Sequence, residues 1–300
     1  MTPAPDWTRA LAEFPVALRP ILDGIRPAGG RLPADATRAA LQAAGVSLEQ
    51  LMVDLLPLAA SYSVAPISRF HVGAIAAGPG PAPTLYFGAN LEFAGAALGC
   101  SVHAEQAAIN HAWLAGEPAV ARLAVTDAPC GHCRQFLQEL AGAPDLVLLL
   151  RGQGRRTLAE LLPRAFGPDA LGVGERLLQP QRMSLAMVHA DDKPLISQAR
   201  EAAERSHAPY SRCPAGCALE VEGARTQTGR TAESAAYNPT LTAFASAASA
   251  LVLRDGPGAL RRVTRAVLVE KPGAASQRTS AAGMAASAMP DATFDYFAAR

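Results

Sequence analysis

The strongest constraint on the fold of this chain is an alternation of apolar strands with helices that begins near residue 61. The residue pattern predicts, in chain order, strands at 70–77 and 84–87, a helix at 103–115, a strand at 122–126, a helix at 130–140 and a strand at 146–150. Strands that alternate with helices favour a sheet covered by helices on both faces, so we expect an α/β fold.

The same order of elements starts again in the second half of the chain. A predicted helix at 195–205 leads into Ala208-Pro209-Tyr210-Ser211 and a strand, as Ala65-Pro66-Ile67-Ser68 leads into a strand in the first half. Asn90-Leu91-Glu92-Phe93 matches Thr231-Ala232-Glu233-Ser234 at nearly the same offset along the chain. These matches predict an internal duplication, with a chance match of short strings as the alternative.

The first 49 residues lie outside both copies and are expected to be helical. Trp7 and Leu11 share one helical face, and Asp35 is a candidate cap for a helix at 37–44. A further apolar helix is predicted at about 48–60.

The composition excludes several classes of protein. Half of the residues are apolar and 18% are charged, which allows a sizeable core and argues against disorder. The chain has 27 Lys and Arg residues and 26 Asp and Glu residues, so its net charge is only +1. Because nucleic-acid-binding proteins usually carry a clear excess of positive charge, we expect no nucleic-acid partner. The chain has no apolar run near 18 residues, and its five cysteines do not suggest a disulfide framework. We therefore expect no membrane partner and a cytoplasmic location.

Two short motifs contain the candidate chemical groups, His103-Ala104-Glu105 and, after 23 intervening residues, Pro129-Cys130-Gly131-His132-Cys133. Taken separately, they fit a structural histidine and a redox pair of cysteines. Together, His103, Cys130 and Cys133 supply three nitrogen and sulfur ligands, which suit Zn²⁺ with one coordination position left open. All three lie at predicted helix starts, so two helix N-termini can converge on one metal.

A hydrolytic metal site also needs a proton carrier, and Glu105 lies two residues from His103. This spacing is the H-x-E…P-C-x-x-C pattern of zinc deaminases, in which the glutamate is the acid and base rather than a ligand. Cys100 as a fourth ligand would close the site and make the zinc structural, which is the alternative. Arg134 and Glu139 are interpreted as a solvated helix face.

Three longer runs resemble the two-domain, dimeric bacterial cytidine deaminases: 87–95, 102–106 and 129–136. The similarity extends through Phe166-Gly167-Pro168 and Asn238-Pro239-Thr240-Leu241 and covers most of the chain from about residue 50. The resemblance implies a homodimer built from three-layer α-β-α cores with mixed sheets, one active and one degenerate. We expect a helical segment at 1–49, a catalytic zinc core at 50–155, a connector at 156–190 and a core without zinc at 191–300.

The resemblance also implies roles for single residues. One zinc ion per subunit would be bound by His103, Cys130 and Cys133, with Glu105 shuttling protons. Contacts to the substrate would come from Asn90 and Glu92 (ribose 3′-hydroxyl), Phe70 (stacking on the pyrimidine), the backbone around Ala104 and Ala128 (base edge) and Phe166 (in a neighbouring subunit's site). The chain departs from related enzymes at Asp127, where they tend to carry an aromatic residue at the pocket wall.

The expected function is hydrolytic deamination of cytidine and 2′-deoxycytidine to the uridine products and ammonia, in pyrimidine salvage. The alternatives are a deaminase of another base or of nucleic acid, a noncatalytic zinc module and a redox protein. If the two halves of the chain are aligned at the constant offset that matches Glu92 with Glu233, His103 is aligned with Phe244 and Glu105 with Ser246. The second copy is therefore expected to hold no ligand set.

Overall fold

Two mixed β-sheets covered by helices organise the computed structural model, which describes residues 5–188 and 193–300. The helices are α1 (Trp7–Ala12), α2 (Arg19–Asp23), α3 (Ala34–Ala44), α4 (Leu48–Asp54), α5 (Leu56–Ala60), α6 (Ala104–Leu114), α7 (Gly131–Leu137), α8 (Leu158–Leu161), α9 (Pro194–Glu204), α10 (Ala243–Asp255) and α11 (Arg278–Ala288). The strands are β1 (Arg31–Leu32), β2 (Gly73–Ala77), β3 (Leu85–Ala89), β4 (Arg122–Val125), β5 (Val147–Leu150), β6 (Gly154–Thr157), β7 (Ala215–Val221), β8 (Arg225–Arg230), β9 (Val263–Glu270) and β10 (Thr293–Ala298).

The strand pairing is repeated between the two sheets. The first sheet has the order β1-β3-β2-β4-β5-β6, and the second has the order β10-β9-β7-β8. In each, a hairpin (β2 with β3, β7 with β8) is extended by an antiparallel strand (β4, β9) and then by a parallel one (β5, β10). The internal duplication predicted from short sequence matches is therefore confirmed at the level of topology.

Each sheet lies between two layers of helices, as the α/β prediction requires. Alternate residues of β2 point to opposite faces, with Ile75 packing among the apolar residues of the N-terminal helices and Ala76 among those of α6 and α7. The outer face of the second sheet is covered by α9, where Ile196 packs near Val267. Helices α6 and α10 share one core between the sheets, where Phe93 lies 6.1 Å from Phe244 between ring centroids.

Matched glycines let the central helices approach the two hairpins closely. A Cβ atom on Gly88 of β3 would lie 2.3 Å from the backbone nitrogen of Ala108 in α6. A Cβ atom on Gly229 of β8 would lie 2.1 Å from the backbone nitrogen of Ala247 in α10. Real Cβ contacts are longer than this, so glycine is required for both helices to sit where they do.

The N-terminal segment differs in detail from its helical prediction. The N-cap of α3 is Pro33, and Asp35 lies inside the first turn, so Asp35 is not the cap. The helix predicted at 48–60 is two helices that meet at Leu55, because Pro57 starts a new first turn. In addition, β1 lies within the segment and pairs with β3.

No single helix in the described ranges is both long enough and apolar enough to cross a membrane. The segments Ala34–Ala44 and Leu48–Ala60 are together long and apolar enough for a membrane span, but they are separated by a bend of 94°.

Candidate active site

Two helix N-termini bring the three predicted ligands together. His103 is the N-cap of α6, Cys130 is the N-cap of α7, and Cys133 is the third residue of α7. The Nδ1 atom of His103 lies 3.5 Å from Sγ of Cys130 and 3.2 Å from Sγ of Cys133. The two sulfur atoms are 3.7 Å apart. The structure thus brings together the three residues that the sequence predicts as metal ligands.

These separations fit a tetrahedral zinc ion. With Zn–S bonds of about 2.3 Å and Zn–N bonds of about 2.0–2.1 Å, the edges of a tetrahedron are about 3.8 Å between sulfurs and about 3.6 Å between sulfur and nitrogen. The observed sulfur pair, at 3.7 Å, and the longer sulfur–nitrogen pair, at 3.5 Å, match these edges. The donor set therefore suits one zinc ion with a fourth position open to the cleft.

The charge of the Cys130 thiolate also favours a cation. Hydrogen bonds from Cys133 and from His103 lower the pKa of the Cys130 thiol to about 3. This thiol is therefore ionised at neutral pH even before a metal ion binds. The hydrogen bond to Cys130 and burial raise the pKa of Cys133. A bound metal ion reverses this effect, because coordination deprotonates a thiol outright.

Glu105 lies on the first turn of α6 and is only 4% exposed. Burial raises the pKa of its carboxyl group, against the lowering effects of a backbone hydrogen bond and of His103. The carboxyl group is hydrogen-bonded to the Cys133 thiol, so it lies beside the ligand set rather than in solvent. A carboxyl group that lies beside the ligands and out of solvent is positioned to take up and release protons there.

Two further residues near the ligands have other roles. Cys100 is not part of the group of ligand atoms formed by His103, Cys130 and Cys133, so it does not close the site. His132 stacks its ring on that of His103, with centroids 5.1 Å apart and planes inclined by 24°. The stacking helps to hold the histidine ring in its orientation.

An open cleft of about 320 Å³ begins at the ligands. Its lining contains five residues predicted to contact the substrate, namely Phe70, Asn90, Glu92, Ala104 and Ala128. Phe70 is 55% exposed, unlike an ordinary core aromatic. The remaining predicted residue, Phe166, is 48% exposed and is not part of the cleft lining.

The polar cleft residues Asn90 and Glu92 are both fixed by hydrogen bonds within the chain. Asn90 accepts hydrogen bonds from Ser63 Oγ at 2.6 Å and from the backbone N–H of Val72 at 2.9 Å, and it donates to the carbonyl of Phe70 at 2.8 Å. Asn90 therefore also supports the segment that carries Phe70.

Glu92 receives three hydrogen bonds, from the N–H of Ile67 at 2.8 Å, the N–H of Ser68 at 3.0 Å and the Ser68 hydroxyl. Partial burial raises the pKa of Glu92, but the hydrogen bonds from Ser68 and Ile67 outweigh it and leave the pKa below its usual range. Glu92 is therefore an ionised acceptor at neutral pH.

Some cleft residues were not singled out from the sequence. Ser68 belongs to the repeated Ala-Pro-x-Ser string, and its recurrence as Ser211 where the glutamate also recurs is the sequence signal that links it to Glu92. Leu98 lines the cleft at 73% exposure, and no sequence pattern marks it. Asp127, the departure from related enzymes, lies on the cleft wall.

The second core has different residues at the corresponding helix start. Helices α6 and α10 both begin directly after an antiparallel bridge, Leu91 with Val102 and Ala232 with Leu241. The intervening loop is two residues shorter in the second core. His103 therefore corresponds to Thr242 and Glu105 to Phe244, which corrects the alignment made at a constant offset.

Two parts of the chain, residues 46–150 and 158–283, match family models described as the cytidine and deoxycytidylate deaminase zinc-binding region. The chain belongs to the cytidine deaminase family. The two matches confirm the expected zinc-dependent deaminase with two related cores, and the zinc cofactor of this family suits the donor set at His103, Cys130 and Cys133.

Individual members of the cytidine deaminase family are similar over most of their length. A cytidine deaminase from Sodalis glossinidius (strain morsitans) is 44% identical over 270 residues, which cover 86% of this chain and 85% of that protein. One from Serratia proteamaculans (strain 568) is 42% identical over 270 residues, covering 89% and 90%. A solved cytidine deaminase from Mycobacterium tuberculosis has 31% identity and a TM-score of 0.35, covering 39% of this chain and 96% of that one.

Proposed function

We propose that this protein catalyses the hydrolytic deamination of cytidine and 2′-deoxycytidine to uridine and 2′-deoxyuridine, with release of ammonia, in pyrimidine salvage. The observation that carries the proposal is a donor set of one histidine and two cysteines with a buried carboxyl group beside it, at the end of a cleft of about 320 Å³. A catalytic zinc site needs three protein ligands, an open position and a neighbouring acid or base.

His103, Cys130 and Cys133 would hold the zinc ion, which when bound would lower the pKa of a water molecule towards ~7 and so supply a nucleophile at neutral pH. Glu105 takes a proton from the attacking water and passes it to N3 of the cytosine ring, which makes C4 more electrophilic. Glu105 then takes the remaining proton from the hydroxyl group added at C4 and delivers it to the exocyclic nitrogen, so that the C4–N4 bond breaks, the C4 carbonyl forms and ammonia leaves. Because the two proton transfers occur in sequence, one carboxyl group serves both.

The remaining cleft residues orient the nucleoside in this proposal. Glu92 and Asn90 hydrogen-bond the ribose 3′-hydroxyl, Phe70 stacks on the pyrimidine, and the backbone of Ala104 and Ala128 contacts the base edge. An ionised Glu92 is a strong acceptor for a hydroxyl group, which its lowered pKa supports.

A small nucleoside is favoured over a polynucleotide by the charge of the cleft. In the described part of the chain, the lining of this cleft contains the acidic residues Glu92, Glu105 and Asp127 but no lysine or arginine. A channel for a nucleic-acid strand needs cationic side chains along the phosphates.

The oligomeric state, location and domain limits belong to the same proposal. We infer a homodimer in which the exposed Phe166 contacts the neighbouring subunit's site, and a cytoplasmic enzyme. The domains are the four given above, with limits at 49, 155 and 190. Light scattering should give twice the mass of one chain, and a monomeric mass would contradict the dimer.

The test of the function is cytidine turnover combined with metal analysis. Purified protein with one zinc per chain should convert cytidine to uridine, followed by the change in ultraviolet absorbance, and should release one ammonia per turnover. His103→Ala should lower both the zinc content and the rate, whereas the control His71→Ala should keep its zinc. Zinc-loaded protein that leaves cytidine unchanged would refute the proposal.

A further inference from the structure

The second core contains a cavity of about 420 Å³, larger than the catalytic cleft. It lies at the place in this core that corresponds to the catalytic cleft, because its wall contains Thr242, the N-cap of α10 and counterpart of His103. Glu233, the counterpart of Glu92 in the duplicated pattern, also lines it. No role in the proposed reaction is assigned to this cavity.

The carboxylate at the ribose end of the catalytic cleft is reproduced in this cavity. Glu233 accepts hydrogen bonds from the N–H of Tyr210 at 2.9 Å, the N–H of Ser211 at 3.1 Å and the Ser211 hydroxyl. Glu92 has the same three types of partner on Ile67 and Ser68. The carboxylate that suits a sugar hydroxyl is therefore presented in the same way in both cores.

The ligand His103 and the proton carrier Glu105, in contrast, are replaced in this core by Thr242 and Phe244, and the buried acidic residue of the cavity wall needs no metal. Phe244, at the position of Glu105, is fully buried and takes no part in the cavity wall. Glu270, at the end of β9, is 1% exposed and accepts hydrogen bonds from Ser276 Oγ at 2.6 Å, the N–H of Gln277 at 2.7 Å and the Tyr296 hydroxyl at 3.1 Å. A buried carboxylate satisfied by three donors does not require a cation.

The remaining wall residues favour a flat, uncharged molecule. Tyr210 and Tyr237 provide aromatic surface, and Tyr237 is 67% exposed with a φ of 62°, a conformation that is rare for a bulky residue. Over the ranges that the structure describes, the cavity wall contains Glu233 and Glu270 but no lysine or arginine. The two carboxylates repel a phosphate, so a nucleoside fits and a nucleotide does not.

We propose that this cavity is a second, noncatalytic binding site for a pyrimidine nucleoside. The ribose hydroxyl donates to Glu233, and the base lies against the tyrosines. The choice of a pyrimidine rests on the proposed function, because the cavity shares its carboxylate arrangement with the cleft that takes cytidine.

The test is the number of uridine molecules bound per chain of zinc-loaded protein, measured by equilibrium dialysis with labelled uridine, which is not turned over. We expect two per chain in the unmodified protein and one in Ala274→Trp, because Ala274 is exposed on the cavity wall and a tryptophan there fills the cavity. Ala12→Trp, at an exposed alanine of α1, is the matched control and should keep two. Unlabelled uridine 5′-monophosphate should compete with labelled uridine for the second site at least 10-fold more weakly than unlabelled uridine does.

A second variant leaves the shape of the cavity unchanged. Glu233→Gln, which removes the charge of the acceptor, should weaken the second binding event at least 10-fold. Glu92→Gln should weaken the first event and leave the second. One uridine per chain in the unmodified protein, lost in Glu92→Gln and kept in Ala274→Trp, would overturn the second site alone. No bound uridine in zinc-loaded protein that converts cytidine would likewise overturn the second site and leave the proposed function standing, whereas protein that leaves cytidine unchanged would overturn the proposed function.

Discussion

At the scale of single residues, burial and hydrogen bonding give the two carboxylates of the cleft opposite properties. Glu105 is almost fully buried, and its pKa is raised. Glu92 is held by three donors, and its pKa is lowered. Although both residues are glutamates, Glu105 is suited to transfer protons, whereas Glu92 stays ionised and is suited to accept hydrogen bonds.

Replacing Glu105 by glutamine should separate metal binding from catalysis. We expect Glu105→Gln to keep its zinc, because Glu105 is not a ligand, and to lose turnover by roughly 10²–10⁴-fold, the usual contribution of a positioned acid or base. Zinc content by atomic absorption and the rate of cytidine loss give the two readouts. Glu201→Gln, at an exposed residue of α9, is the control. Full activity in Glu105→Gln would remove its role as proton carrier.

His111 should make stability depend on pH. Burial lowers its pKa to about 4, despite the hydrogen bond between Nδ1 and the carbonyl of Phe87 at 2.9 Å. In the unfolded chain, His111 takes up a proton near pH 6.5, whereas in the folded chain it stays neutral down to about pH 4. The free energy of unfolding therefore has its full value above pH 6.5 and falls by up to about 3 kcal/mol as the pH is lowered towards 4.

The measurement for His111 is the free energy of unfolding in urea at several pH values between 4 and 7. His111→Gln should show a flatter pH dependence than the unmodified chain, and His71→Gln should not. Equal slopes in the unmodified chain and in His111→Gln would contradict the assignment.

At the scale of elements, helix starts and glycine contacts position the site. The two ligand-bearing helices have His103 and Cys130 as their N-caps, and short motifs predict these helix starts because capping and turn residues are local. Strand β6 (Gly154–Thr157) was not predicted, since it is short and polar and its place at the sheet edge comes from backbone pairing with β5.

The contact between β3 and α6 should be sensitive to a single methyl group. We expect Gly88→Ala to lower the free energy of unfolding by about 1–3 kcal/mol, because the added Cβ overpacks against the backbone of Ala108. Since α6 carries His103 and Glu105, cytidine turnover should fall as well. Gly283→Ala, in a helix with no atom within 4 Å of the new Cβ, should lose no stability. Equal urea midpoints for both variants would show that the contact is not tight.

At the scale of the whole molecule, the two cores are joined by a buried polar cluster around Glu139, which follows α7. Its carboxylate accepts hydrogen bonds from the Tyr210 hydroxyl at 2.6 Å, from the N–H of Ala235 at 2.8 Å and from His207 Nε2 at 3.3 Å. Glu139 is fully buried, so its interpretation as part of a solvated helix face is wrong. Its partners lie in the second core, far away along the chain, which no local pattern reveals.

Breaking this cluster should destabilise the whole chain. We expect Glu139→Gln to lower the free energy of unfolding by about 3 kcal/mol, because an amide N–H then faces groups that are themselves donors. Urea unfolding followed by circular dichroism gives the value, with Glu201→Gln as the control. A loss no larger than that of the control would mean that the cluster does not hold the cores together.

The sequence by itself determined the α/β class, the duplication and the metal-site motif. These rest on local information, namely apolar periodicity, helix starts and ligand spacing. Only the tertiary structure decided that Thr242 rather than Phe244 matches His103, that Glu139 is buried between the cores and that the second core keeps a cavity with its own carboxylate. The physical reason is that loop lengths and contacts between distant segments set these features, and a single sequence records neither.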